Sequence, residues 1–273
     1  MEKGTGKKPR RIKKCVMAVL FVFFGAIFAF SLYQLFAAGQ VYQVGSKTYD
    51  DLAQEVVVKK QTKTPQPSPL STPESVLPEA DAQPKEPLLE VDFEMLQSIN
   101  SHTVAWISSE NEEINYPVVQ GEDNSYYLNH LFDGTENKNG TIFMDRRNLP
   151  TFEDRNTLIY GHNMGNHTMF ASLTKYGSEG YYEENPVLIL VTPEESYYLQ
   201  VFSGYVTKAD SEAYRRDLED DGIYLEFLKR IRENSDFDAP VEVTAEDRIV
   251  TLSTCSYVYD NARYVLHCKL VPA

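Results

Sequence analysis

The strongest pattern along the chain is an uncharged apolar run, Cys15 to Ala38, reading CVMAVLFVFFGAIFAFSLYQLFAA. It is 24 residues long, and about 20 suffice to cross a bilayer as a helix. Residues 39–58 can continue as a juxtamembrane helix. Between Lys59 and Glu90 seven prolines (65, 67, 69, 73, 78, 84 and 87) replace the apolar pattern. Proline fixes φ and removes an amide donor, so this stretch is expected to be an extended spacer without a core. From Val91 the pattern changes again. Val91, Met95, Leu96 and Ile99 have helical spacing, predicting a short helix. Short β-type runs follow: Val104–Ile107, Ile114–Val119, Thr141–Met144, Asn156–Tyr160, Val187–Thr192, Tyr197–Thr207, Val241–Thr244, Arg248–Thr254 and Arg263–Val271. Pro193 to Ser196 reads as a hairpin turn. Many short strands at modest spacing predict a closed barrel or a sandwich. One segment breaks the β pattern. Asp220–Asn234 places Leu225, Leu228 and Ile231 three apart among charges, with Asp220 or Asp221 as cap, and predicts an amphipathic helix.

Charge adds direction. Residues 1–14 carry seven Lys or Arg. Cationic residues on one side of a span place that side in the cytoplasm. The expected organisation is a basic cytoplasmic tail over 1–14 and a transmembrane anchor over 15–38. A juxtamembrane segment and linker over 39–90 then lead to an extracellular folded domain over 91–273. A cleaved signal peptide is the alternative to the anchor, but its apolar region would be shorter. Residues 91–273 hold 31 Asp or Glu against 14 Lys or Arg. So acidic a body lacks the phosphate neutralisation on which nucleic-acid binding runs, and nucleic acid is set aside as a partner.

Three cysteines, Cys15, Cys255 and Cys268, do not make a disulfide framework. A lone exported thiol is either a buried small hydrophobe or a reactive group. Two segments decide which reading to test. In TLIYGHNMGNHTMF a β-run ends at Gly161-His162, where a scaffold can display a general acid or base. In RIVTLSTCSYVYDNARYVLHCKLV a β-run ends at Cys255, and a second begins near Arg263. If the two runs pair as a hairpin, Cys255 and Arg263 are neighbours near its loop end. A cation stabilises a thiolate and donates to an oxyanion. Cysteine, histidine and arginine can therefore divide the roles of acyl transfer. His267 and Cys268, on the last run, alternate between faces and are read as structural. The H-E-x-x-H zinc-protease pattern, the papain and caspase flanking motifs and a glycine-rich phosphate loop are all absent from the sequence.

With these residues in view, the chain resembles the class B sortases. INYPVVQGEDNSYYLNHLFDG, GTIFMDRRNLPTFEDRNTLIYGHNM, MFASLTKY and TLSTC carry the resemblance over about residues 92–270. It implies a mainly β fold: a closed sortase-type barrel of about eight strands, with an N-terminal helical extension and one helix inserted before the Cys strand. It implies a cysteine transpeptidase in which Cys255 attacks a threonine carbonyl in a C-terminal sorting signal of the Asn-Pro-x-Thr-x kind. His162 would act as general acid and base, and Arg263 would hold the oxyanion. The expected partners are signal-bearing surface proteins, a peptidoglycan cross-bridge amine (or a pilin lysine, if the enzyme polymerises pilins) and the cell membrane. No cofactor and no metal are expected. By the same resemblance Asn124, Leu128, Tyr214 and Ser253 would line the substrate groove, although Leu128 and Tyr214 fit ordinary packing as well. Arg215 and Ser256 depart from residues found in some relatives, an apolar side chain and an acid respectively. A catalytically inactive binding module on a membrane stalk is the reading from another class.

Overall fold

The computed structural model describes residues 10–58 and 89–273, so most of the proline-rich spacer lies outside the described residues. The elements run α1 (Arg10–Val56), β1 (Val57–Val58), β2 (Glu90–Val91), α2 (Phe93–Ile99), β3 (Thr103–Ser109), β4 (Asn115–Val119), β5 (Ile142–Met144) and β6 (Asn156–Tyr160). They continue with α3 (Glu179–Glu184), β7 (Val187–Val191), β8 (Ser196–Lys208), α4 (Asp221–Glu233), β9 (Ile249–Cys255) and β10 (Ala262–Pro272). The chain divides into two units, residues 1–44 and 45–273.

In the first unit, α1 is the one described helix long and apolar enough to cross a membrane. Its side chains from Val16 to Phe36 are exposed, with Phe21, Val22 and Leu35 each at 70% or more. A helix apolar on every side has no polar face to turn to water, which suits it to a lipid environment.

The second unit begins at Gly45, well ahead of the boundary at Val91 expected from the sequence. The end of α1 packs into it: Tyr49, Leu52 and Val56 are buried. The Tyr49 hydroxyl donates to the Gly140 carbonyl at 2.5 Å. β1 then pairs antiparallel with β2, Val57 opposite Val91. The apolar face of this last stretch was hidden in the sequence by its polar neighbours.

The remaining eight strands close into a barrel in the order β10-β8-β7-β3-β4-β5-β6-β9. Two of its pairings are parallel, β4 with β5 and β6 with β9. Most strands are antiparallel hairpin partners, and the β7–β8 connection turns at Pro193 as expected. β3, β6 and β9 are buried along almost their whole length. One face of each fills the barrel, and the other is covered. The 3-10 segment Ala171–Gly177 lies against β8, β9 and β10, and α4 lies against β8.

The inserted helix forms, with Asp220 as its cap accepting from the Ile223 amide at 2.9 Å. Its buried face is Tyr224, Phe227, Leu228 and Ile231, each contributing roughly 1.5–3 kcal/mol by burial. Leu225, expected on that face, is 47% exposed. The aromatic residues, which are three apart and not in the expected set, define the stripe instead. Val241–Thr244, expected as a strand, is irregular. Its carbonyls are taken by side chains: Arg232 donates to Val241 and Lys269 to Glu242. That leaves no ladder to join.

His267 and Cys268, adjacent on β10, are both fully buried, so both faces of the strand are covered there. Burial drives the His267 imidazole from its usual 6.5 down to about 3, among Phe202, Tyr205, Phe227 and the Thr251 hydroxyl. The unfolded chain takes up a proton near pH 6.5 that the folded chain refuses until near 3. Stability is therefore complete above about 6.5 and is lost as pH falls through that window. Urea titrations of the full chain in detergent, stepped through this window, are expected to show a slope that His267→Gln flattens. An unchanged slope in the variant would assign the acid sensitivity to other groups.

Candidate active site

The site lies at the rim where β6 and β9 end side by side. Their parallel register sets Tyr160 opposite Ser253. One residue past β6, Gly161 has no room for a side chain: a Cβ there would sit 2.4 Å from Ile142 and 2.7 Å from the Phe170 ring. This close approach turns the chain so that His162 emerges at the rim. Three further bonds stitch the two segments together. The Gly161 amide donates to the Ser253 carbonyl at 3.0 Å, the Thr254 hydroxyl to the Gly161 carbonyl at 2.9 Å, and the Asn163 amide side chain to the Cys255 carbonyl at 2.8 Å.

His162 is oriented from the other side. Its Nε2 lies 2.7 Å from the Leu128 carbonyl. A carbonyl can only accept, so Nε2 carries the hydrogen, and in the neutral ring Nδ1 keeps the lone pair. Gly140, at φ +60°, packs 3.1 Å from the imidazole measured from an added Cβ, so a larger residue there would displace the ring.

Cys255 is a free, half-buried thiol at the end of β9. Its direct cross-strand partner on β10 is Arg263. Among the described residues the Arg263 guanidinium donates to the carbonyl of Ala262 at 2.9 Å. Its remaining donors can serve a group beside the sulfur.

His162, Cys255 and Arg263 line one groove of about 330 Å³ together with Asn124, Leu128, Tyr214 and Ser253. All seven residues singled out in the sequence thus meet in one place. Tyr214 and Ser253 are hydrogen-bonded at 2.8 Å, and Tyr160 stacks near Tyr214 with ring centroids 6.3 Å apart. Arg215, one of the two departures from relatives, turns its guanidinium to Asp217 at 3.0 Å. Ser256, the other, is nearly buried and donates its amide to the Ala262 carbonyl.

The sequence reading missed Arg147 and Tyr160, which also line the groove. Both converge on Asp145, whose side chain is wholly buried. Arg147 binds it through two nitrogens at 2.8 and 2.7 Å, Tyr160 donates at 3.0 Å and the Asn124 amide at 2.9 Å. Burial pushes the Asp145 carboxyl up, but these donors outweigh it and hold the group at about 2. Asn124 is fixed at its other end by accepting from the Arg146 amide at 2.8 Å. One carboxylate therefore orients three side chains of the groove. The available signal was the run Met144-Asp145-Arg146-Arg147 directly after a β-run, an acid at a strand end beside cations.

A thiol, a cation beside it and an imidazole with a free lone pair, arranged along an open groove, can carry out acyl transfer through a covalent thioester. The chain as a whole is similar to known proteins. The family model "Sortase domain" matches residues 107–271. Sortase B of Staphylococcus aureus is 39% identical over 181 residues, covering 66% of this chain and 74% of its own. A solved structure described as a Staphylococcus aureus sortase B-substrate complex superimposes with a TM-score of 0.63 at 38% identity, covering 66% of this chain and 85% of that one. A crystal structure of Sortase B complexed with triglycine does so equally at 0.63 and 38%, over 66% of this chain and 86% of that one.

Because the Asp145 carboxyl is held below its usual 3.8, its contribution to stability is full above about 3.8 and is lost as pH falls toward 2. Asp145→Asn is expected to lower unfolding stability at neutral pH by about 2 kcal/mol, a figure kept small because Arg147 is half exposed. The difference from the native protein should shrink on acidification. A constant difference at all pH values would contradict the assignment.

Proposed function

The chain belongs to the sortase family, within its class B branch, and on that footing we propose that Cys255 is the nucleophile of a transpeptidase acting on other exported proteins. The observation that carries the reading is the cross-strand pairing of Cys255 with Arg263 in the groove that His162 also lines.

The Cys255 thiolate attacks the backbone carbonyl carbon of a threonine in a C-terminal sorting signal, of the Asn-Pro-x-Thr-x kind. A carbon–sulfur bond forms, and the carbonyl electron pair moves onto oxygen. The Arg263 guanidinium donates hydrogen bonds to that oxyanion, where fixed donors are worth most. Collapse breaks the peptide bond after threonine. The His162 imidazolium protonates the departing amine through Nδ1, leaving a neutral ring and a thioester on Cys255. An incoming amine then gives its proton to the same Nδ1 as it attacks the thioester carbonyl. The second collapse releases the Cys255 thiolate and leaves a new amide, joining the surface protein to the acceptor. The acceptor is expected to be an amine of a peptidoglycan cross-bridge. A relative complexed with triglycine supports an amine of glycyl type as one that this family accommodates.

Asn124, Leu128, Tyr214 and Ser253 are proposed to hold the residues of the signal, with Arg147 and Tyr160 alongside. The apolar helix is proposed as an uncleaved anchor with the basic residues 1–14 in the cytoplasm, which places the catalytic unit outside the membrane.

Cleavage of a fluorogenic Asn-Pro-x-Thr-x peptide by the full chain in detergent tests this. Cys255→Ala is expected to abolish turnover. His162→Ala should lose about 10²–10⁴-fold in kcat, and Arg263→Ala about 10²–10³-fold. Equal cleavage by the native and Cys255→Ala proteins would refute the reading, and no cleavage by either would leave a binding module in its place.

A further inference from the structure

Beneath the Tyr214 loop lies a line of buried polar groups that the transfer chemistry does not use. Tyr205, His267, Thr251 and Asn156 are at most 7% exposed. They run from β8 across β10 and β9 to the start of β6.

The direction of every bond in this line can be deduced. Asn156 Nδ2 lies 2.9 Å from the Arg215 carbonyl and 3.4 Å from that of Ala213. Carbonyls only accept, so the amide nitrogen must face them and Oδ1 must face Thr251. The Thr251 hydroxyl therefore donates to Asn156 Oδ1, at 2.6 Å. Its single hydrogen is then spent. Toward His267 Nδ1, at 2.9 Å, it can only accept, so Nδ1 carries the ring hydrogen. Burial keeps this ring neutral. Nε2 is thus a lone pair, and it faces the Tyr205 hydroxyl at 3.4 Å.

The far end of the line grips two carbonyls that flank Tyr214, the residue whose hydroxyl meets Ser253 in the groove. The loop from Ser211 to Leu218 otherwise carries little regular structure, a single 3-10 turn over Glu212–Tyr214. We propose that the chain Tyr205–His267–Thr251–Asn156 is a positioning device that holds the Ala213–Arg215 backbone, and through it Tyr214, in the conformation that binds the sorting signal. The link to binding rests on the reading of Tyr214 as a groove residue given above. Thr251 is the link that decides it, because its hydroxyl both donates and accepts. Without that hydroxyl, Asn156 and His267 lose their shared partner in a site closed to water. The loop's order would then have to be restored at the moment of binding, which weakens affinity and leaves the reacting groups untouched.

Thr251→Val keeps the shape and removes the hydroxyl, and Thr251→Ser restores it. The full chain in detergent is to be compared by hydrogen–deuterium exchange without substrate, and by peptide cleavage. Faster exchange in Thr251→Val confined to residues 211–218, with β9 and β10 unchanged, is expected. KM should rise on the order of ten-fold with kcat within about two-fold, and Thr251→Ser should return both to native values. Exchange that is unchanged in the loop, or that rises evenly over the barrel, would overturn the proposal. So would an unaltered KM, or a serine variant that behaves like valine. If the native protein cleaves no peptide, the proposed function fails, while the exchange comparison still decides whether the chain holds the loop.

Discussion

The parallel pairing of β6 with β9 is the constraint on which the site depends. Parallel strands end at the same rim, so the last residues of one and the first loop residues of the other are delivered together. β6 delivers His162, and β9 delivers Cys255. The antiparallel return along β10 then sets Arg263 directly across from the sulfur-bearing residue. Three side chains separated by as much as 101 positions in the chain (162 to 263) are thus placed by two ladders. The cost of such non-local pairing is loop-closure entropy. Burial of β6 and β9 on both faces is the main term available to offset it.

Around this frame the protein uses buried polar groups in two distinct ways. Asp145 is wholly buried with its donors around it, and its carboxylate is the stationary charge to which the groove residues Asn124, Arg147 and Tyr160 are referred. The Tyr205–Asn156 line is uncharged, and it works through direction: each hydroxyl or ring nitrogen has only one role left once its neighbour is assigned. A fully satisfied network of either kind orders side chains that packing alone would leave with several rotamers. Both networks end in the groove wall rather than at the thiol, which separates the machinery that binds from the machinery that reacts.

Much of this was legible along the chain. The apolar run, the eight barrel strands to within a few residues and the capped helix before the Cys strand follow from period and punctuation, His162, Cys255 and Arg263 from the motifs around them, and Asn124, Leu128, Tyr214 and Ser253 only from the resemblance to class B sortases. What was not legible is informative. Residues 45–58 join the barrel unit because Tyr49, Leu52 and Val56 make a narrow apolar face, which a neighbouring membrane-length run overshadows. Val241–Thr244 has β-type composition, but Arg232 and Lys269 take its carbonyls. Leu225 fits a three-residue spacing that Tyr224 and Phe227 define one position away. Arg147 and Tyr160 were missed because their convergence on Asp145 is a tertiary fact. A local window shows an acid beside two arginines, which is equally the look of a solvated turn.

The central claim is that Cys255 carries the acyl group between donor and acceptor. Intact-protein mass spectrometry of the full chain, quenched in acid during turnover of a sorting-signal peptide with no added amine, tests it most directly. The expected result is an adduct equal in mass to the peptide through its threonine, located at Cys255 and discharged when an amine such as triglycine is added. An adduct at Cys268, or steady cleavage with Cys255 never modified, would contradict the account.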